Sequence, residues 1–200
     1  MSRQPPPALG LDLADFPRQT LPEGRVVHRS HRPDLGPCYF NGTPHCRFNL
    51  GGGRGTCYVA DDIATAVREK VRESVFDQGV VPASLANSFV VSSIRVARSF
   101  SCADIASADS VTHGVTRMLG TMDDYVVPQQ WATAFDKAGF DGVRYGSSYT
   151  NGPSTAWALF DEEGEHPFGD VTAVLPGAAA CALAGITVYG PPHSDELEIV

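Results

Sequence analysis

Apolar positions recur along the chain at two different spacings, and they mark out its elements. Residues 25–29, with Val26 and Val27, read as a short strand, and residues 56–60 as a second one rich in β-formers. Asp61 or Asp62 then stands where a helix N-cap belongs. Ile63, Ala66, Val67, Val71 and Val75 follow at the 3.6-residue period, which predicts a helix running to about Phe76. Residues 89–97 predict a strand and 110–119 a short helix. A further helix starts near Pro128, buries Trp131, Phe135 and Ala138, and stops at Gly139. Residues 142–145 and 155–160 predict two strands joined by the polar loop 146–154, and 171–174 and 185–189 predict edge strands.

These elements do not alternate in βαβ order. They predict an α+β fold in a single domain, with a bent, mainly antiparallel sheet and flanking helices. Residues 1–22 carry Pro5, Pro6 and Pro7 in a row and read as a loosely packed N-terminal arm. Residues 23–189 form the folded domain. Residues 190–200, with Pro191, Pro192 and several carboxylates, form a C-terminal tail.

Composition narrows the function classes. The 200 residues have a formal net charge of -8, and the 15 Lys and Arg form no run. A nucleic-acid surface needs clustered cations, so direct nucleic-acid binding is not expected, while one basic pocket for a small anion is compatible with the balance. Five cysteines at irregular spacings, with no CxxC, argue against a disulfide framework and for a reducing, cytoplasmic compartment. The first residues hold no apolar core of a secretion signal. The apolar stretch 174–188 is broken by Pro176, Gly177 and Gly185, so no membrane span is expected.

Single residues say little about chemistry. The Gly-rich segment 51–55 is not followed by GK[ST] and precedes a strand, so it is neither a P-loop nor a dinucleotide fingerprint. It reads as a mobile turn, or as a place where backbone approaches a ligand. His28, His31, Cys38, His45 and Cys46 cluster in sequence but match no common zinc spacing, and no metal is expected. Glu69 projects from the helix face opposite Val67 and Val71. That face is either a solvated one shared with Arg72 and Glu73 or the lining of a cleft.

The order of these residues is more telling than any one of them. His28–Arg29–Ser30–His31–Arg32 is followed by Tyr39–Phe40, then Arg47–Phe48–Asn49, a Gly-rich turn, Thr56–Cys57–Tyr58–Val59–Ala60, and Thr65–Ala66–Val67–Arg68–Glu69. Asp141 to Ser147 and a strand ending at Phe160 come much later. The pattern resembles the RES domain, named for its Arg, Glu and Ser, over about residues 24–161. The block from Arg47 to Glu69 is the most specific part. In the serine block, Gly146 and Tyr149 stand where the family often has Pro and Arg, and the register favours Ser147 over Ser148.

The resemblance implies an ADP-ribosyltransferase-like fold and a toxin that consumes NAD⁺, breaking the nicotinamide–ribose bond by phosphorolysis or hydrolysis. It implies Glu69, Arg29 and Ser147 as catalytic residues and Arg47 and Tyr58 as substrate-binding ones. NAD⁺ would be substrate rather than cofactor, with phosphate as a co-substrate, and an Xre-type antitoxin would be the protein partner. Self-association is left open. Two other readings stand beside this one: a protein ADP-ribosyltransferase, and a non-enzymatic binding module of the same fold. The implied chemistry suits the residue types. Cleavage develops oxocarbenium character on the ribose, which a carboxylate stabilises, and arginine forks fit a pyrophosphate.

Overall fold

A computed structural model describes residues 4–75 and 79–190. Its elements, in chain order, begin with strands β1 (Arg18–Leu21), β2 (Val26–His31), β3 (Tyr39–Phe40) and β4 (Arg54–Ala60), followed by helix α1 (Ile63–Val71). β5 (Val80–Pro82), α2 (Ala83–Ala86), β6 (Val90–Val96) and β7 (Phe100–Asp104) come next, then α3 (Val126–Lys137), β8 (Gly142–Tyr145) and β9 (Ala156–Glu162). β10 (Gly164–Glu165), β11 (Gly169–Pro176), α4 (Gly177–Leu183) and β12 (Thr187–Tyr189) complete the order.

Eight strands form one sheet in the order β1-β7-β8-β9-β4-β2-β6-β11. Only β7 and β8 pair in parallel within it, so the sheet is mixed, and it curls on itself as a half-barrel. Both faces of its centre are covered. Ala156, Ala158 and Phe160 of β9 pack with Trp131 and Phe135 of α3, while the alternate residues Trp157 and Leu159 pack with Val27, Phe40, Ile94 and Phe100 inside the curl. Burial on both faces explains why β9 reads as an uninterrupted apolar run. A third cluster joins Val67 and Val71 of α1 to Val91 of β6 and to Ala180 and Cys181 of α4.

Several expectations need correction. The N-terminal segment does not pack loosely. Leu13, Phe16 and Leu21 are buried, β1 pairs with β7, and Gln4 donates to Gly114 O and accepts from Thr116 N. α1 ends at Val71, and a 3-10 turn, Arg72–Val75, replaces its expected last turn. Phe76 lies outside the described residues, as does the tail from residue 191. Residues 110–119 hold two 3-10 turns, Ala108–His113 and Arg117–Gly120, in place of one helix. α3 starts two residues before Pro128 and leaves Ala138 exposed, with Pro128, Trp131, Ala132 and Phe135 forming its buried face. The strand at 187–189 pairs with β5 in a separate two-stranded sheet rather than at the edge of the main one.

Candidate active site

β2 and β4 touch at a single register pair, His28 with Ala60, and then diverge, because β2 pairs along its whole length with β6 on its other side. A cleft of about 240 Å³ opens where they part. Arg29 and Ser30 of β2 line one wall, Thr56 and Tyr58 of β4 another, and Ala66, Glu69 and Lys70 of α1 lie along a third.

The start of α1 is pinned at the base of this cleft. Asp62 Oδ1 accepts from Thr65 N at 2.8 Å, and Asp61 accepts from Trp157 Nε1 at 2.9 Å. Ser30 Oγ donates to Ala66 O at 2.8 Å and ties helix to strand. With Val67 and Val71 fixed in the core behind, the opposite face turns Glu69 into the cleft. The cleft reading of that face therefore describes the fold better than the solvated one. Glu69 Oε1 is buried and has no hydrogen-bond partner among the described residues.

The far wall is the segment around Arg47, sewn onto β4. Phe48 N donates to Tyr58 Oη at 2.8 Å, Leu50 N donates to Thr56 Oγ1, and Thr56 Oγ1 donates to Phe48 O. Phe48 packs on Tyr145 at 5.2 Å between ring centroids. Arg47 donates to Met122 O at 3.2 Å and lies 5.6 Å from the Tyr125 ring centroid. Tyr125, Tyr145 and Tyr149 also line the cleft. Burial, first of all, pushes the Tyr58 and Tyr145 phenols well above their ordinary range, and the nearby Glu69 charge adds to it, so both rings stay neutral.

Cations dominate the lining. Arg29, Arg47, Lys70 and Arg72 all face the cleft. The ion pairs among the described residues, such as Arg54–Asp136 and Arg144–Asp104, involve none of these four. The three arginines reach carbonyl and sulfur acceptors instead. Arg29 Nη1 donates to Pro37 O at 2.9 Å and to Cys57 Sγ, whose thiol burial pushes up to about 12. Arg72 reaches Cys46 Sγ at 3.7 Å. In an acidic chain, four cations grouped around one cleft, none ion-paired to a carboxylate among the described residues, make a site for an anion.

Arg29, Arg47, Tyr58 and Glu69 thus share one cleft. Ser147 does not line it: its Oγ accepts from Tyr149 N at 3.1 Å, and its own N–H donates to Ser154 Oγ. Ser148 Oγ donates to Gly120 O at 2.9 Å. The Gly-rich turn lies away from the cleft. Gly52 and Gly53 take positive φ to reverse the chain into β4, and Arg54 there pairs with Asp136. His28 and Cys46 line the cleft, whereas His31 is buried against Ser92 Oγ. Among the described residues no three His, Cys, Asp or Glu side chains converge as a metal site would require, and no helix is long and apolar enough to cross a membrane.

A family model described as the RES domain matches residues 25–179. The chain belongs to the RES domain family. The match runs from the start of β2 into α4 and takes in every residue lining the cleft. The structure is similar to that of a chain in the crystal structure of the M. tuberculosis MbcT–MbcA toxin–antitoxin complex. The TM-score is 0.65 at 14% identity, covering 83% of this chain and 92% of that one. At that identity the likeness is one of fold. A search of curated proteins gives no match. Within this RES domain, Lys70, Arg72, Tyr125, Tyr145 and Tyr149 are cleft residues to which the sequence pattern gave no site role.

Proposed function

We propose that this RES domain consumes NAD⁺, breaking the bond between nicotinamide and ribose. The observation that carries the reading is the buried Oε1 of Glu69, unpartnered among the described residues, in a cleft whose cations make no ion pair among those residues. An isolated carboxylate oxygen is costly to bury, and a partner supplied by substrate offsets that cost. Ribose hydroxyls and a ribose ring gaining positive charge fit it.

Each part of the dinucleotide has a matching group. Glu69 stabilises the oxocarbenium character that develops as the C–N bond breaks and its electron pair leaves with nicotinamide. Tyr58 offers a flat, neutral ring to the nicotinamide. Arg29 and Arg47 suit the pyrophosphate oxygens. At about 240 Å³ the enclosed space takes one end of a dinucleotide, and the rest would lie along the mouth. Ser147 acts from outside the lining, through the loop that carries Tyr149. The ADP-ribosyl carbon is then captured by an oxygen of phosphate or of water, giving phosphorolysis or hydrolysis.

The structural neighbour comes from a toxin–antitoxin complex, which favours a toxin role and an antitoxin partner, of the Xre type that the family resemblance implies; the irregularly spaced cysteines fit a cytoplasmic location. Such a partner would restrain activity by closing the cleft.

The test is nicotinamide release from NAD⁺ by the purified protein, with and without inorganic phosphate, and the mass of the second product. Release faster with phosphate, yielding a phosphorylated ADP-ribose, marks a phosphorylase. Glu69→Gln should lower kcat by about 100-fold or more while keeping the melting temperature, since it removes a charge that no described residue pairs. Unchanged turnover in that variant would falsify the assignment.

A further inference from the structure

Arg72 is the one non-glycine residue with positive φ among the described residues, at φ 47° and ψ -129°, and it caps α1. Strained backbone of this kind gathers at functional sites, where surrounding structure enforces it. A helix C-terminus that needs positive φ is ordinarily served by glycine or asparagine. An arginine there is more than a cap requires.

What the strain achieves is direction. Ala66, Glu69 and Lys70 are the α1 residues that line the cleft. At 3.6 residues per turn, a straight continuation of the helix would carry residue 72 roughly 110° away from the centre of that face. The break at Arg72 instead returns its guanidinium to the cleft, where Nη2 lies 3.7 Å from Cys46 Sγ. Lys70 stands beside it. Burial first, and then the Arg72 and Arg32 charges, hold the Lys70 ammonium below its ordinary range. Two cations are therefore crowded together at the end of α1, and no ion pair among the described residues relieves either of them.

The geometry points to an anion subsite at the C-terminal end of α1, built by Arg72 and Lys70, that holds a phosphoryl group. The assignment of that group rests on the NAD⁺ reading, which offers two sources: inorganic phosphate as acceptor, or the pyrophosphate of the dinucleotide. Arg72 presents a planar fork able to bond two oxygens, and Lys70 adds a point charge. Arg29 and Arg47 line the same cleft from β2 and from the segment that holds Cys46, so Arg72 and Lys70 extend its cationic lining to the end of α1.

Calorimetric titration of inorganic phosphate, and separately of ADP-ribose, into the wild-type protein and into Arg72→Gly, Arg72→Lys and Lys70→Gln tests this. Arg72→Gly relieves the backbone strain, so its melting temperature should hold or rise. Its affinity for one of the two probes should nonetheless fall about tenfold or more, with partial recovery in Arg72→Lys and a loss in the same direction in Lys70→Gln. Loss for phosphate alone marks the acceptor site, and loss for ADP-ribose marks the pyrophosphate site. Unchanged affinity for both probes, or no binding of either to the wild-type protein, overturns the subsite. Both titrations are read without turnover, so absence of nicotinamide release would end the NAD⁺ reading and leave the subsite to be judged on these affinities.

Discussion

The backbone N–H of Phe48 donates to the hydroxyl of Tyr58 at 2.8 Å. This bond joins the segment carrying Arg47 to β4, so two walls of the cleft are tied together. It also engages the Tyr58 hydroxyl, leaving the ring as the part of that side chain offered to a ligand.

Tyr58→Phe keeps the ring and removes the acceptor. Phe48 is fully buried, so its N–H would be left without a partner at a cost of about 1–3 kcal/mol. Thermal unfolding should show that loss. Steady-state kinetics should show KM for NAD⁺ rising more than kcat falls, because the Arg47 segment loses its anchor while Glu69 stays in place. If Tyr58 acted through its ring alone, the variant would match wild type in both measurements.

Ser147 gives a different signature. Its Oγ holds Tyr149 N in a tight turn, and Tyr149 is the residue of that loop lining the cleft. Ser147→Ala should raise KM severalfold with kcat largely kept, and Ser147→Thr, which retains the hydroxyl, should restore it. A fall in kcat of about 100-fold at constant KM, as when a transition-state contact is removed, would instead place the hydroxyl at the reacting centre.

The cleft was legible in the sequence to the extent that local pattern controls it. A capped helix with Val67 and Val71 on one side obliges Glu69 to face the other, and β4 places Tyr58 by strand alternation. Tyr145 and Tyr125 reach the cleft only because β8 and the start of α3 are brought there by contacts distant in sequence. Arg72 faces it because of a backbone conformation that no propensity encodes. The fold divides the same way. β9 announces itself by an apolar run, whereas β7, with Ser101, Cys102 and Asp104, lacks the β-branched residues that signal a strand. α4 is apolar nearly all round, so it shows no helical period. The opening prolines concealed β1, which is held by pairing with β7 rather than by its own composition.

Stability should fall on mild acidification. Burial lowers the pKa of both His28 and His31 from the ordinary 6.5. The folded state then binds fewer protons than the unfolded one just below pH 6.5, so their contribution is fully present above that pH and is lost as pH falls towards the folded-state values. Urea unfolding followed from pH 7.5 to 5.5 should show a decreasing free energy. His31→Gln, which removes the ring held by Ser92 Oγ and the Leu35 carbonyl, should flatten that slope. An equal slope in the variant would show that other groups set it.

The N-terminal segment should behave as core. Phe16 is 2% exposed, and its ring lies 4.8 Å from that of Phe135 and 6.1 Å from that of Phe140. Trp131 Nε1 donates to Pro5 O across the same surface. Phe16→Ala should therefore cost about 3–5 kcal/mol, a fall in melting temperature of roughly 6–20 °C for a chain this long. A loosely attached arm would show a change within about 0.5 kcal/mol. Phe16 is not among the residues lining the cleft, so specific activity measured well below the transition should be retained. Loss of activity at that temperature, with the fold intact by circular dichroism, would mean that the segment also shapes the site.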